Sequence, residues 1–337
     1  MRVSKLGEFG LIARIAKMVG EPGDDVVVGI GDDVAVLRTG GGDKYHLATC
    51  DIQVEGIHFI RDKISPYQLG RKAVAINLSD IASMGGVPKQ LLVSLVLPED
   101  TSVSYVDAMY EGIKAETDCC GVNIVGGNIA RSPSGLIVDI FLLGEVEPEH
   151  LLLRSGAKVG DRVLVTGYVG DSAAGLAYLL APETRCKKAR AQRVLEAHLT
   201  PTPRLKEGRT IAKSGMATAM IDISDGTLGD LGHICERSGV GARVWVERLP
   251  ISEVAREIAE AMEKDPLKWA LGGGEDYELL FTVPSEKAEK LAALVHEETG
   301  TPVSVIGEIV PAKEGIQVVR ESGESFSLEH EGWDHFR

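Results

Sequence analysis

The stretch Val26-Val27-Val28-Gly29-Ile30-Gly31-Asp32-Asp33 runs from an apolar β-strand pattern directly into two adjacent aspartates. Further aspartates follow apolar segments later in the chain, at Asp51, Asp80, Asp222 and Asp225. A carboxylate beside a buried strand is costly unless a cation shares its site. No Arg or Lys lies within these acidic runs. The pattern therefore predicts a divalent metal such as Mg²⁺, which takes oxygen ligands from carboxylates and substrate phosphates.

Composition limits the classes of protein that this chain can belong to. Its 337 residues favour about two domains. The 36 basic and 50 acidic residues give a net charge of −14, which argues against a nucleic-acid partner because such proteins carry a basic patch. The 5 cysteines show no CxxC spacing, so a zinc site or disulfide framework is not expected. Without a leader pattern or an apolar stretch of about 20 residues, we expect no membrane segment and a cytoplasmic protein.

Apolar spacing predicts a mixture of strands and helices in the first half of the chain, and the pattern restarts in the second half. In the first half it predicts strands over 45–54, 90–97, 122–125 and 136–146, and helices over 66–83 and 103–118. The segment Glu147-Pro148-Glu149-His150 is predicted to join a first domain, 1–149, to a second, 150–337. Both halves mix hairpin-like strands with helices. An α+β fold of two mixed α/β domains is therefore favoured over a doubly wound sheet.

Two glycine-rich stretches are candidates for contact with a phosphate group. Gly126-Gly127 precedes Asn128, and Gly272-Gly273-Gly274 precedes Glu275. The chain has neither a G-x-x-x-x-G-K-[ST] nor a G-x-G-x-x-G pattern, which disfavours a P-loop kinase and a standard dinucleotide fold. Glycines let backbone N–H groups approach a phosphate, but such stretches taken alone are more often plain turns. Both interpretations stay open for each stretch.

The segment from Asp222 to Gly226 precedes a predicted helix. Ser224 or Asp225 is expected either to cap that helix or to lie beside a phosphate at its positive N-terminus. The two interpretations are compatible.

Three further residues have a functional and a structural interpretation each. His58 follows the candidate ligand Asp51 closely and is either a substrate contact or a packed histidine. Arg154 offers a planar fork that suits phosphate, although a lone arginine is commonly a surface residue. Trp333 lies in an aromatic tail, which is either a wall for a flat ligand or a packed chain end.

Together these motifs resemble the thiamine-monophosphate kinase family, within the superfamily that includes aminoimidazole ribonucleotide synthetase and selenophosphate synthetase. The resemblance extends over essentially the whole chain. It is carried by 7–9, 29–33, 54–59, 77–85, 154–157, 170–175, 222–226, 273–278 and the tail 332–336. Each motif is short, but their number and order make the match specific.

The resemblance implies phosphorylation of thiamine monophosphate by ATP, in a direct in-line transfer assisted by several Mg²⁺ ions. It also implies a homodimer, in which the N-terminal domain pairs with its symmetry mate into a barrel-like interface. By motif position, the implied metal-binding positions are Asp32, Thr49, Cys50, Asp51, Asp80, Asn128, Asp222 and Asp225, and the catalytic residues are Asp51, Asp80 and Asp222. The implied ATP contacts are Gly127, Asn128, Arg154 and Ser224, and the implied contacts to thiamine monophosphate are His58, Glu275 and Trp333.

Two positions depart from the family pattern. Cys50 stands where the family commonly has a hydroxyl residue, and a protonated thiol is a poor ligand for Mg²⁺. Asn128 stands where it commonly has Asp, and it offers a carbonyl oxygen without charge. The number of metal ions is therefore left open. The alternatives are a related ATP-dependent synthetase and a nucleotide-binding regulator without catalysis.

Overall fold

The computed structural model describes residues 3–38, 40, 42–181, 188–320, 322 and 325–326. It contains two mixed α/β domains, as the sequence predicts, and each is built on one sheet with helices packed against it. The predicted boundary between 149 and 150 falls at a 3-10 helix, Pro148–His150, and stays a prediction.

The first domain is built on a six-stranded sheet with the strand order β1-β2-β3-β6-β4-β5. Only β4 and β5 are parallel neighbours, and the other pairs are antiparallel. The strands are β1 (Val26–Val28), β2 (Ala35–Leu37), β3 (Tyr45–Val54), β4 (Val87–Pro98), β5 (Asn123–Ser132) and β6 (Ile137–Val146). The helices are α1 (Glu8–Val19), α2 (Pro66–Ser83) and α3 (Val103–Cys120).

The second domain is built on a seven-stranded sheet with the order β13-β12-β9-β11-β7-β10-β8. Its strands are β7 (Arg162–Thr166), β8 (Ala219–Asp222), β9 (Val240–Trp245), β10 (Leu279–Val283), β11 (Val303–Pro311), β12 (Ile316–Val319) and β13 (Ser325–Phe326). Its helices are α4 (Asp171–Leu180), α5 (Lys188–Leu199), α6 (Leu205–Ser214), α7 (Thr227–Ser238), α8 (Glu253–Ala261), α9 (Pro266–Gly272) and α10 (Ala288–Thr299). Within this sheet only β9 and β12 pair in parallel.

The helix α2 has the bounds that the sequence predicts. Ser65 Oγ accepts the backbone N–H of Gln68 at 3.2 Å, and Gln68 Oε1 accepts the backbone N–H of Ser65 at 3.1 Å. This reciprocal cap satisfies donors that the first turn would otherwise leave unpaired. The helix packs on α3, β3 and β6 in its own domain and on α6 and β8 in the second. It therefore carries side chains directly to the boundary between the domains.

Strand β5 corrects the prediction of a strand that stops at Val125. The pair Gly126-Gly127 is not a turn, because β5 continues through it to Ser132. A Cβ atom at Gly127 would lie 1.9 Å from the carbonyl oxygen of Val93 on β4. The close approach of the two strands thus explains the glycine at position 127.

The described part of the chain has no helix that combines the length and the apolar character needed to cross a bilayer.

Helices α2 and α3 approach each other so closely at Gly112 that a larger side chain there should disturb their packing. A Cβ atom at Gly112 would lie 2.0 Å from the carbonyl oxygen of Tyr67. We expect Gly112→Ala to lower the free energy of unfolding by about 1–3 kcal/mol through overpacking. Urea unfolding followed by circular dichroism measures it. Gly232→Ala in α7 is the matched control, because its nearest contact is Ile316 Cδ1 at 3.7 Å. It should leave stability unchanged or raise it by about 0.5–1 kcal/mol.

Candidate active site

A cavity of about 500 Å³ lies between the two domains. Residues from β3, α2 and the 57–58 turn line it on one side, and residues around 154, 172, 198, 222–225 and 272–277 line it on the other. It brings together most of the site residues predicted from the sequence: Thr49, Cys50, Asp51, His58, Asp80, Arg154, Asp222, Ser224, Asp225 and Glu275. These ten residues, which come from both domains, therefore surround one cavity.

Three carboxylates from both domains converge in this cavity. One oxygen each of Asp33, Asp80 and Asp222 lies within 4.8 Å of the others. Hydroxyl groups hold each carboxylate in place: Ser83 Oγ donates to Asp33 at 2.6 Å, Thr49 Oγ1 to Asp80 at 2.5 Å and Ser79 Oγ to Asp222 at 2.6 Å. The carboxylates are thus oriented by hydrogen bonds before any ligand binds.

The electrostatics of this group favour a bound cation. Burial first, and then the charge of Asp33, raise the pKa of Asp222 to about 8. Burial and the charge of Asp51 raise the pKa of Asp80 well above its usual value. Asp80 also lies in the last turn of α2, where the helix dipole is negative. Protons or a metal ion must therefore compensate the negative charge.

The donor set of this group fits Mg²⁺. It consists of carboxylate oxygens, which are the ligands that hard divalent cations take, and it contains no sulfur or nitrogen donor. The backbone N–H of Asp51 is bonded to Asn77 Oδ1 at 3.0 Å, which holds a further carboxylate-bearing residue at the cavity wall. A hard cation in this group would also lower the raised pKa values of Asp80 and Asp222.

Arg154 supplies a cation that the acidic runs themselves lack. Its guanidinium group donates to Asp33 Oδ1 through Nε at 3.0 Å and through Nη2. Its backbone N–H donates to Asp32 Oδ2 at 3.3 Å. Burial, followed by the charge of Asp33, raises the pKa of Asp32 to about 6. One arginine is therefore shared by two adjacent aspartates, and Asp33 rather than Asp32 belongs to the three-carboxylate group.

The loop before α7 departs from the predicted capping. The backbone N–H groups of Ser224, Asp225 and Gly226 each donate to Asp230 Oδ2 at 3.1 Å. Gly226 is the N-cap residue, and neither Ser224 nor Asp225 caps the helix through its side chain. The capping interpretation is therefore wrong, because Gly226, which has no side chain, occupies the N-cap position, and Ser224 and Asp225 precede it. The carboxylate of Asp225 lies within 4.8 Å of ligand atoms of Asp230 and His233.

The loop from Gly273 to Tyr277 has a strained backbone. Glu275 and Tyr277 have φ angles of +65° and +52°, a region that side chains other than glycine rarely adopt. Their N–H groups donate at 2.8 Å to the carbonyl oxygens of Ser224 and Ile223. These bonds fix the loop on the end of β8. Glu275 lines the cavity and forms an ion pair with Lys72, Nζ to Oε1 2.8 Å.

A hydrogen bond sets the tautomer of His58, and burial favours the protonated thiol of Cys50. The backbone N–H of Val54 donates to His58 Nδ1 at 3.0 Å, so the neutral imidazole carries its proton on Nε2. Burial, followed by the charges of Asp139 and Asp51, raises the pKa of the Cys50 thiol. Cys50 therefore lines the cavity as a protonated thiol, which makes it a poor ligand for Mg²⁺.

Asp32, Gly127 and Asn128 do not line this cavity. Gly127 and Asn128 lie on the edge strand β5. Trp333 lies outside the described residues. The predicted roles of these four residues stay predictions.

Lys72 and His198 are not among the residues predicted for the site, and from the adjacent Asp32-Asp33 pair only Asp32 is named as a metal-binding position. Adjacent carboxylates cannot be ranked without the backbone geometry. Lys72 had a usable signal, because a charged residue beside Leu69, Ala73 and Ile76 on the buried face of a predicted helix needs a partner. His198 had no comparable signal.

Comparison with known proteins places the chain in a class that shares this two-domain fold. The family described as AIR synthase related protein matches twice, with its N-terminal domain at residues 31–146 and its C-terminal domain at residues 158–319. A thiamine-monophosphate kinase of Aquifex aeolicus is 39% identical over 336 residues, which is 100% of both chains. A thiamine-monophosphate kinase of Escherichia coli K12 is 39% identical over 98% of both chains. A solved structure described as AaThiL complexed with AMPPCP and TMP superposes with a TM-score of 0.86, at 38% identity and 99% coverage of both chains.

The chain therefore belongs to the thiamine-monophosphate kinase family. The resemblance expected from its motifs is confirmed.

The raised pKa of Asp222 predicts how stability depends on pH when EDTA removes divalent cations. Folding raises this pKa from 3.8 to about 8. The folded state therefore holds a proton that the unfolded state has lost, and its stability falls as pH rises between these values. Asp222→Asn removes this penalty. At each pH we compare the melting temperature of the variant with that of wild type. We expect this difference, variant minus wild type, to be at least about 2 °C larger at pH 8.5 than at pH 5.

Thermal unfolding followed by circular dichroism at the two pH values measures this difference. Asp118→Asn is the matched control, because Asp118 is a surface carboxylate with 60% of its side chain exposed. A difference between Asp222→Asn and wild type that is the same at both pH values would contradict the expected ionisation of Asp222.

Proposed function

We propose that this chain transfers the γ-phosphoryl group of ATP to thiamine monophosphate, giving thiamine diphosphate and ADP. The observation that carries the proposal is the group of Asp33, Asp80 and Asp222 in an interdomain cavity of about 500 Å³. Kinases need positioning and charge neutralisation at the phosphates more than covalent chemistry. Membership in the thiamine-monophosphate kinase family supports the choice of acceptor.

The acceptor needs no strong general base. It is a phosphate monoester whose second pKa is about 6, so its attacking oxygen is already largely ionised near neutral pH. In a direct in-line transfer, this oxygen forms a bond to the γ-phosphorus while the bond to the β,γ-bridging oxygen breaks. ADP leaves with that electron pair. No phosphoenzyme intermediate is formed.

The main obstacle is repulsion between the donor and acceptor phosphates, because both are anionic. Asp33, Asp80 and Asp222 would hold Mg²⁺, and Asp51 and Thr49 lie beside them in the cavity. When bound, Mg²⁺ neutralises phosphate charge and orients the phosphate oxygens. The predicted metal roles of Asp32, Cys50, Asn128 and Asp225 remain part of the proposal, although the protonated thiol makes Cys50 the weakest of them.

The proposed substrate contacts are assigned by the position of each residue around the cavity. Arg154 and Ser224 are proposed to contact ATP, and both lie on the wall of the second domain. His58 is proposed to contact thiamine monophosphate through Nε2–H, because its Nδ1 is bonded to the backbone of Val54. Glu275 and Trp333 complete the proposed acceptor site.

A homodimer with a barrel-like interface is the proposed assembly. Strand β5 pairs only with β4 and leaves its other edge unpaired among the described strands, and such edges are normally covered. Its side chains Val125 and Ile129 are 58% and 68% exposed, and Phe141 on β6 is 37% exposed. Gly127 and Asn128 lie on the same strand, so their proposed ATP and metal contacts would come from this interface. Because ATP is the donor, we propose a cytoplasmic location.

The direct test is formation of ADP and thiamine diphosphate from ATP, Mg²⁺ and thiamine monophosphate. Free thiamine serves as the control acceptor. Stoichiometric thiamine diphosphate and ADP from the monophosphate alone would support the proposal. ATP binding without product from this acceptor would overturn it and favour a related synthetase or a non-catalytic nucleotide-binding regulator.

Removal of one charge from the carboxylate group should slow turnover strongly. We expect Asp80→Asn to lower kcat at least about 100-fold, since each tenfold loss corresponds to about 1.4 kcal/mol of transition-state stabilisation. Steady-state kinetics at saturating ATP and acceptor measure it, and circular dichroism checks the fold. Asp118→Asn is the surface control. A kcat for Asp80→Asn within about twofold of wild type would remove Asp80 from the catalytic site.

A further inference from the structure

Lys72 is a lysine in the interior of α2 with only 1% of its side chain exposed. Lysine is almost never fully buried unless it is paired. Its Nζ lies 2.8 Å from Oε1 of Glu275, which belongs to a loop of the second domain. The pair therefore joins the two domains at the wall of the cavity, and Lys72 itself lies behind that wall rather than on it.

The second oxygen of Glu275 is held from within its own domain. His198 Nδ1 lies 3.3 Å from Glu275 Oε2 and 3.1 Å from Ser172 Oγ. Burial, followed by the charge of Lys72, lowers the pKa of His198 to about 4. The imidazole is therefore neutral near pH 7. Glu275 is held by one full positive charge, from Lys72, and by one neutral ring.

Glu275 keeps acceptor capacity toward the cavity. An ionised carboxylate offers about four lone-pair positions, and the pair with Lys72 uses one of them. The side chain is 24% exposed and lines the cavity. Glycine would relieve the backbone strain at φ +65°, yet this position carries a long acidic side chain. Strain that persists at a cavity wall is typical of a functional position.

We infer that Lys72 is a positioning residue for the acceptor substrate. Lys72 fixes the Glu275 carboxylate, and this carboxylate accepts hydrogen bonds from N–H groups of the thiamine moiety. This inference rests on the proposed function. The thiamine moiety has a suitable chemistry, because it carries an amino-substituted pyrimidine and a cationic thiazolium ring. The amino group of adenine is the competing donor. Separate measurements with the two substrates distinguish them.

The test is isothermal titration calorimetry of thiamine monophosphate and of ATP, each with wild type and Lys72→Met. We expect the Kd for thiamine monophosphate to rise at least about tenfold and the Kd for ATP to change less than about twofold. Lys72→Arg should restore part of the affinity because it keeps the charge. If Lys72→Met unfolds, Lys72→Arg and the charge-balanced double variant Lys72→Met/Glu275→Gln carry the test.

The double variant separates positioning from a merely structural role. If Lys72 acts through Glu275, the double variant should bind thiamine monophosphate as Glu275→Gln alone does, because the two losses are then not additive. Arg71→Met is the matched control, since Arg71 precedes Lys72 on α2 and pairs with Glu116 at 2.8 Å. It should leave both Kd values unchanged.

Three results would overturn the inference: an unchanged Kd for thiamine monophosphate in Lys72→Met, equal losses for both substrates, or additive losses in the double variant. Binding of thiamine monophosphate to wild type without turnover would overturn only the proposed reaction. No binding of thiamine monophosphate to wild type would overturn both.

Discussion

The convergence of buried carboxylates at the domain boundary is the constraint on which the rest of the site depends. Asp33, Asp80 and Asp222 meet where burial penalises each charge. Arg154 offsets only part of this charge, and it does so mainly at Asp33. Like charges in low dielectric disfavour one another's ionisation. The folded chain therefore stores an electrostatic cost that a bound divalent cation would relieve, and the proposed metal site would link folding to phosphate binding at one place.

Helix α2 makes this convergence possible. Asn77, Asp80 and Ser83 recur every three residues and so lie along one side of the helix. Asn77 and Asp80 are bonded to β3, Ser83 is bonded to Asp33, and Ser79 reaches Asp222 in the second domain. At the other end of the helix, Lys72 pairs with Glu275 of the second domain. One helix thus positions both the three-carboxylate group and the carboxylate of the proposed acceptor site.

Much of the fold follows from local sequence signals. The bounds of α2 are predicted correctly because Pro66 lies in its first turn and Gly85-Gly86 lies beyond its end. The bounds of β3 are also predicted correctly. Strand β5 is predicted too short, because glycine is typical of turns and only the neighbouring strand reveals why position 127 excludes a side chain. The capping of α7 is mispredicted because the helix begins one residue later than a cap by Asp225 requires, with Gly226 at the N-cap position.

The candidate site is predictable in its residue types but not in its pairings. Aspartates after apolar segments indicate the kind of side chain in the group, since their desolvation cost is visible in the sequence. They do not identify every member, because Asp80 lies within α2 and Asp33 joins the group instead of Asp32. The partner of Asp33 lies 121 positions away at Arg154, and such long-range pairing is not encoded in any local pattern. The same holds for Lys72 and Glu275, whose contact exists only because the two domains meet.

A Mn²⁺ titration followed by electron paramagnetic resonance tests most directly whether carboxylates of both domains form one metal site. It compares wild type with Asp222→Asn, each in the presence of a non-hydrolysable ATP analogue. Mn²⁺ takes oxygen ligands as Mg²⁺ does, and its free-ion signal counts the bound ions. We expect wild type to bind at least one Mn²⁺ tightly that Asp222→Asn does not bind. The same number of bound ions with the same affinity in both proteins would contradict a metal site shared by the two domains.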